Sequence, residues 1–176
     1  MRIEQLRERL QALGANPRHQ QRVLRLWSQA LPQTSGRRQV EHFLPAALVA
    51  ELPAIARELA ALATLESQHP GEDGSARLLL KLADGQMAET VLLPRDGVCV
   101  STQVGCAVGC TFCMTGTGGL IRQLGSAEIV AQVALARQQR SVNKVVFMGM
   151  GEPAHNLEAV LEAIDLLGTL GNIGHK

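Results

Sequence analysis

Apolar residues recur at helical spacing at the start of the chain. Ile3 and Leu6 open the first such run, and Gly14 follows it at a position where helices often end. The next amphipathic run begins at Asn16-Pro17, a pair typical of a helix N-cap and first turn. The spacing therefore predicts two consecutive helices, the second of which reaches Pro32.

The pattern stays helical beyond this pair and then changes. Residues 45–51 and 54–66 are predicted to be helices separated by Pro53, because proline removes a helical hydrogen bond. The polar stretch that follows contains glycine and proline, which is typical of a linker. We therefore assign residues 1–66 to a helical module and place a linker and a β-hairpin at 67–96.

Strand and helix patterns alternate through the rest of the chain. Asp84-Gly85 joins two strand-like runs, 77–83 and 87–93, and predicts the hairpin. Four elements follow: a strand at 98–102, a helix at 126–139, a strand at 144–148 and a helix at 157–167. Ser126 and Asn156 are the expected N-caps of the two helices. Residues 97–176 are thus expected to hold the first two βα units of a partial (β/α) barrel, with functional loops at the carboxyl ends of its strands.

The strand at 144–148 is the second parallel strand and the last one in the pattern. Two parallel strands do not close a barrel, and this strand would keep an unpaired apolar edge. The expected fold class is therefore α/β: a helical module and a hairpin, followed by an incomplete barrel. The sequence is expected to be the N-terminal portion of a longer protein.

The composition is that of a globular protein with an aliphatic core. Hydrophobic residues make up 46% of the chain and charged residues 19%, which is enough apolar surface to bury a core. No apolar run is long enough to cross a bilayer, and the N-terminus is too polar for a signal peptide. These features predict a cytoplasmic protein, in which cysteines stay reduced and suit metal binding or catalysis better than disulfides.

Charge is distributed unevenly. Residues 1–40 contain eight arginines and two glutamates, a net charge of +6, and the whole chain carries +1, which leaves −5 for the remainder. A basic cluster of this kind can bind a polyanion through its phosphates. A solvated helical face has the same composition, so both interpretations stay open on charge alone.

Three of the four cysteines lie within eight residues, at Cys106, Cys110 and Cys113. Three thiolates at this spacing can hold three irons of a four-iron, four-sulfur cluster and leave the fourth iron open for a ligand. The alternative is a structural zinc site with Cys99 as fourth ligand, since four thiolates satisfy tetrahedral zinc. A single cysteine run without a second, distant pair suits zinc poorly, so the cluster is the preferred interpretation.

The spacing Cys-x3-Cys-x2-Cys, with Phe112 before the third cysteine, resembles the radical S-adenosylmethionine superfamily. The run Gly149-Met150-Gly151-Glu152-Pro153, after the next strand, is similar to the second signature of that superfamily. The resemblance implies a 4Fe-4S cluster held by the three cysteines and S-adenosylmethionine bound at its open iron. It also implies that Gly151 and Glu152 hold the amino group of the methionine part.

A closer resemblance covers about residues 77–160. The runs Glu89-Thr90-Val91, Cys99 to Cys106 and Val145 to Pro153 are similar to the RlmN/Cfr family of radical methyltransferases. This resemblance implies methylation of an adenosine in large-subunit ribosomal RNA, at C2 in preference to C8, with transfer RNA as a second substrate. It also implies a full-length monomer that takes electrons from a donor such as flavodoxin or ferredoxin.

The same resemblance gives roles to two further residues. Glu89 matches a proton acceptor, and Cys99 matches the thiol that resolves a protein–RNA crosslink by forming a disulfide with a methyl-carrying cysteine near the C-terminus of relatives. No cysteine follows Cys113, so the methyl-carrying thiol is missing and the chain is expected to be inactive alone. Two alternatives remain: another radical RNA-modifying enzyme, and a non-catalytic, zinc-type nucleic-acid-binding fragment.

Overall fold

The computed structural model describes residues 1–174 and begins with three helices. These are α1 (Ile3–Ala12), α2 (Pro17–Ser28) and α3 (Ala46–Ala61). Leu6, Leu24 and Leu48 are almost completely buried in one shared core. The side chain of Asn16 accepts a hydrogen bond from the His19 amide at 3.0 Å, which confirms the predicted N-cap of α2.

Two helix boundaries differ from the prediction. α2 ends at Ser28 rather than at Pro32, because Ala30 adopts a left-handed conformation with φ of 55°. Pro53 lies inside α3 and does not divide it. Four buried side chains flank the proline on both sides: Leu48, Leu52, Ile55 and Leu59. Burial of each contributes about 1.5–3 kcal/mol, so together they outweigh the roughly 3 kcal/mol that an interior proline costs.

Seven strands follow the helical module. They are β1 (Ala63–Pro70), β2 (Ala76–Leu82), β3 (Met87–Leu93), β4 (Gly97–Cys99), β5 (Gln103–Gly105), β6 (Leu120–Gln123) and β7 (Lys144–Val146). Five of them form one sheet in the order β1-β2-β3-β4-β7, and β5 and β6 form a separate antiparallel ribbon. The hairpin β2-β3 is confirmed, and its turn contains Gly85 with φ of 84°.

β1 contradicts both the predicted helix end at 66 and the linker that was expected to start at 67. Its residues pair antiparallel with β2 from Ala63 opposite Leu82 to Pro70 opposite Ala76. This pairing gives hydrogen-bond partners to the backbone amides and carbonyls of a polar segment. The segment therefore forms a strand, although its sequence has a weak helical pattern. The division of the chain into three domains stays a prediction. The last two residues of the third predicted domain, 175–176, lie outside the described residues.

Two further helices follow within residues 1–174: α4 (Ser126–Gln139) and α5 (Leu157–Thr169). α4 packs between the helical module, the sheet and α5, and its residues 126–136 are all buried. The amide oxygen of Gln132, in the middle of α4, accepts hydrogen bonds from the Thr90 hydroxyl and the Ser101 amide, each at 2.8 Å. These bonds fix α4 against one face of the sheet.

Asn156 is the N-cap residue of α5, as predicted, but neither its side chain nor that of Ser126 caps a helix. Gly125 is the N-cap of α4, while the Ser126 hydroxyl accepts from the Ile3 amide at 2.9 Å and donates to Glu162. The Asn156 amide donates to the carbonyl oxygens of Thr102 and Leu124, each at 2.8 Å. Both side chains bind distant segments instead, because tertiary partners compete with local ones.

The parallel pair β4-β7, with α4 as its crossover, is the βα arrangement that the sequence predicts. Within residues 1–174, β7 pairs with β4 alone and therefore lies at the edge of the sheet. The loops that follow β4-β5 and β7 leave the sheet at the carboxyl ends of the parallel strands. No helix in the described part of the chain is long and apolar enough to span a membrane.

Candidate functional site

The cysteine loop, residues 106–118, projects from the ribbon β5-β6. Gly105 has φ of 74°, and a Cβ atom there would overlap the carbonyl oxygen of Gly119. The Cys106 amide donates to that same oxygen at 3.0 Å. The two ends of the loop are thus held together at a neck where position 105 has room only for glycine.

Beyond the neck, the loop opens to solvent. Cys106 is buried, whereas Cys110 and Cys113 are exposed and line a shallow depression of about 310 Å³. The Cys113 amide donates to the Cys110 carbonyl at 3.0 Å, which forms a tight turn between the two thiols. Phe112, within this turn, is 91% exposed, so its ring does not pack against other parts of the protein.

Hydrogen bonds from Thr115 favour the thiolate of Cys113. The Thr115 side chain, its backbone amide and the amide of Gly116 all lower the pKa of the Cys113 thiol, and the side-chain bond is the largest cause. The thiolate is the form of cysteine that binds iron and other metals. The donor set therefore suits a metal group that needs thiolate ligands.

The four thiols do not lie together in the described structure. Among residues 1–174, no three His, Cys, Asp or Glu side chains converge where they could share one ion. Cys99 is only 7% exposed and lies in the sheet rather than in the cysteine loop. Cys99 is thus separated from the three thiols of the cysteine loop, which it would have to join in the four-cysteine zinc site considered from the sequence.

Glu89 and Cys99 lie on the same face of the sheet. Cys99 pairs directly with Val91, and Glu89 is two positions from Val91 on the same strand. Because side chains alternate along a strand, all three project to one side. Thr90 projects to the other side, where it binds α4. We call the face turned away from α4 the far face.

The two far-face residues have different surroundings. Burial raises the pKa of the Cys99 thiol above its ordinary value, which keeps the thiol protonated. Glu89 is partly exposed, and its carboxylate lies 3.3 Å from the guanidinium of Arg77 on β2. The structure thus places the two predicted catalytic residues on neighbouring strands of one surface, with Arg77 as an additional charge that the sequence did not indicate.

The glycine loop, residues 149–153, is docked onto the segment that leads into the cysteine loop. The Met150 carbonyl accepts from the Thr102 and Gln103 amides at 2.9 and 3.2 Å, and the Met150 amide donates to the Ser101 hydroxyl at 2.8 Å. The Glu152 carboxylate accepts from the Ala154 amide at 3.0 Å. Gly151 and Glu152 are therefore held close to the base of the cysteine loop.

The ribbon that positions the cysteine loop has its own charged anchor. Arg122, on β6, donates to both carboxylate oxygens of Glu128 on α4 and to Asp84 in the hairpin turn. Glu128 is 5% exposed, so this two-point contact is largely shielded from water. The sequence did not indicate this anchor, because β5 and β6 have only three and four residues, too few to show the alternation of apolar and polar residues that predicts a strand.

Only part of the arginine-rich N-terminus is available to a ligand. Arg2 pairs with carboxylates of α5, Arg9 with carboxylates of α3, and Arg22 donates to the carbonyl oxygens of Gln33 and Ser35. These three stabilise the fold. The remaining exposed arginines of this region are Arg18, Arg25, Arg37 and Arg38.

Comparisons with known proteins agree with this geometry. The model of the radical SAM superfamily matches residues 100–174. Proteins named "Probable RNA methyltransferase" from Leptothrix cholodnii and Methylibium petroleiphilum are 68% and 72% identical over 176 residues, which is all of this chain and 51% and 50% of those proteins. The chain thus spans about half the length of the curated relatives it matches.

A solved structure gives the same result for the fold. The crystal structure of a radical SAM methyltransferase from Sphaerobacter thermophilus is 34% identical, with a TM-score of 0.67, over 95% of this chain and 50% of that one. This match confirms the expected α/β class, in which helices precede a sheet that forms part of the larger fold. The roles of the individual residues stay predictions, because the matches concern whole segments.

Proposed function

We propose that the protein containing this chain methylates an adenosine in RNA, because residues 100–174 match the model of the radical SAM superfamily. One observation carries the proposal most directly: the three-thiol loop and the glycine loop share one base, the segment 101–103. Two loops with different donor groups can then bind two parts of one small molecule. The names of the similar proteins support methyl transfer and an RNA substrate.

Five residues would bind the cofactors. Cys106, Cys110 and Cys113 would hold a 4Fe-4S cluster, which supplies the electron that cleaves S-adenosylmethionine when it is bound. Gly151 would let the backbone approach the methionine part, and the Glu152 carboxylate would accept hydrogen bonds from its ammonium group. The exposed position of Cys110 and Cys113 leaves room for both groups beside the loop.

The far face would receive the adenine. Glu89 would accept a proton from the ring, and release from Arg77 would free its carboxylate for this step. After losing its proton, Cys99 would attack the sulfur of the methyl-carrying cysteine in the protein–RNA crosslink. The disulfide would form as the bond from that sulfur to the transferred carbon breaks, and the electron pair of that bond would pass to the adenine adduct. The methyl-carrying cysteine is not among these 176 residues. The chain by itself would therefore not complete the reaction.

Large-subunit ribosomal RNA is the proposed substrate, with C2 of adenine as the methylated atom and transfer RNA as a second substrate. The exposed arginines of the helical module would bind RNA phosphates, so affinity would fall steeply with salt. A flavodoxin- or ferredoxin-type protein would supply electrons. We place this monomeric enzyme in the cytoplasm.

The test uses the protein at the length of its relatives, purified without oxygen and loaded with iron and sulfide. Ribosomal RNA and, separately, transfer RNA from cells lacking the activity are incubated with it, a reductant and S-adenosylmethionine, and each RNA is then digested to nucleosides for mass spectrometry. We expect 2-methyladenosine, and none with Cys110→Ala. Methyl groups only at C8 would overturn the assignment of position, and no methylated adenosine in either RNA class would overturn the proposal.

A further inference from the structure

Gln103 is a completely buried polar side chain between the two loops. It has 0% exposure and belongs to β5, two positions before the neck glycine of the cysteine loop. A buried amide must find partners for both its oxygen and its nitrogen. The identity of those partners shows what this residue holds in place.

Both ends of the Gln103 amide are satisfied by functional segments. Its oxygen accepts a hydrogen bond from the Glu152 amide at 2.8 Å. Its nitrogen donates to the amide oxygen of Gln123 on β6 at 2.9 Å, and the Gln123 nitrogen donates to the His155 carbonyl, also at 2.9 Å. This relay of two glutamines links the ribbon beneath the cysteine loop to both ends of the turn that contains Glu152.

The shape of the glycine loop also depends on Gln103. Gly151 has φ of 96°, and a Cβ atom built on it would lie 2.5 Å from Cβ and 2.6 Å from Cγ of Gln103. The side chain of Gln103 therefore occupies the space that any side chain at 151 would need. Together with the bond to the Glu152 amide, this contact fixes the backbone of both predicted cofactor-binding residues.

We infer that Gln103 is a positioning residue that sets the glycine loop relative to the cysteine loop and thereby determines the affinity for S-adenosylmethionine. The inference rests on the proposed function, because it requires both loops to bind parts of one molecule. Gln103 itself does not touch the ligand in this role. It acts through the Glu152 amide and through the space that it fills beside Gly151.

Three variants separate positioning from general stability. Gln103→Met keeps the volume and removes both hydrogen bonds, whereas Gln103→Glu keeps an oxygen that can accept from the Glu152 amide. Gln20→Met is the matched control, because Gln20 is also buried and its amide donates to the Ala15 carbonyl in the helical module. None of these variants changes a cysteine.

Two readouts are used: amide hydrogen exchange at Glu152, and equilibrium binding of S-adenosylmethionine to the iron-loaded protein at the relatives' length. In Gln103→Met we expect exchange at Glu152 to accelerate at least about tenfold and binding to weaken by about tenfold or more, since a buried donor loses its acceptor. Gln103→Glu should restore protection at Glu152 and most of the affinity. Gln20→Met should leave both unchanged, with iron content equal in all four proteins.

The outcomes distinguish this inference from the proposed function. If the wild-type protein does not bind S-adenosylmethionine, the proposed function fails and the inference fails with it. If the wild type binds it and Gln103→Met binds it within twofold as well, only the inference is wrong. Unchanged exchange at Glu152 in Gln103→Met, or equal weakening by Gln20→Met, would also overturn it.

Discussion

The cysteine loop and the glycine loop both adjoin the segment 101–103 but are held in different ways. The cysteine loop is closed at its neck, and beyond it Cys110, Phe112 and Met114 are exposed to solvent. The glycine loop makes hydrogen bonds along its length and fits against Ser101 and Gln103 without spare room. One loop is thus tethered at its ends, and the other is packed throughout.

This difference fits the groups that each loop is proposed to bind. Bonds from thiolates to a metal group can fix the conformation of the loop that carries them, so such a loop can reach its final shape on binding. A backbone that recognises an organic ligand contributes affinity only if it is already ordered, because ordering it on binding costs free energy. The glycine loop is therefore expected to keep its shape without ligands, and the cysteine loop to change.

The largest effect is expected at the neck. Gly105→Ala would force alanine into a left-handed conformation against the Gly119 carbonyl, at a combined cost of about 2–4 kcal/mol. Urea unfolding should show this loss, and iron loading should fall with it. Gly118→Ala is the matched control in the same loop, since nothing lies within 4 Å of its Cβ position. Equal stabilities of the two variants would show that the neck is not closed.

The next largest effect is expected in limited proteolysis, as a difference between the cleavage rates of the two loops. Chymotrypsin is expected to cut after Phe112 about 100-fold faster than after Met150, because cleavage follows local opening and exposure. Phe112 is 91% exposed, whereas the backbone of Met150 is bonded on both sides. Loading with iron and sulfide should protect Phe112 and leave Met150 unchanged. Similar cutting rates in the unloaded protein would remove the contrast between the loops.

Thiol labelling should show a smaller contrast between the loop and the far face. Cys99 has a raised pKa, so its thiolate fraction at pH 8 is low and alkylation should be about tenfold slower than at Cys113. Its rate should keep rising with pH beyond the ordinary pKa of a cysteine. In urea the two rates should converge. Equal rates in the folded, metal-free protein would place Cys99 outside the buried sheet.

The smallest effect concerns the anchor of the ribbon. Arg122 lowers the pKa of Asp84, so this pair stabilises the protein above the unfolded pKa of about 4 and loses its effect as pH falls through the folded value. Asp84→Asn should cost less than about 1 kcal/mol at pH 7, because the carboxylate is partly exposed. The cost should shrink as pH falls through the folded pKa of Asp84 and its carboxylate becomes protonated. Glu72→Gln, in the turn at the other end of β2, serves as the exposed control.

The sequence predicted the elements that have a clear period or a strong turn signal. β3 has the predicted bounds, because its alternation ends at clear turn signals on both sides. The glycine loop also lies where the βα pattern places it, after the carboxyl end of β7. The cysteine loop instead follows β5, a short strand that the pattern did not indicate. Local pattern was sufficient in these places because the tertiary structure agrees with it.

The misses share one cause, which is competition from distant partners. Pro53 stays helical because the buried leucines on both sides of it pack into the core. The side chains of Ser126 and Asn156, which lie at the starts of α4 and α5, bind Ile3 and Thr102 rather than their own helices. The role of Gln103 was equally hidden, since its partner Glu152 lies 49 positions along the chain.

The most direct test of the proposed site measures iron, sulfide and the formation of 5′-deoxyadenosine from S-adenosylmethionine. It compares the reconstituted protein at the relatives' length with its Cys110→Ala variant, and Gly118→Ala controls for changes in the same loop. We expect Cys110→Ala to lose the brown colour of the iron–sulfur cluster and all cleavage of S-adenosylmethionine. Gly118→Ala should keep both. Cleavage that persists in Cys110→Ala would contradict the assignment of the three cysteines to the cluster.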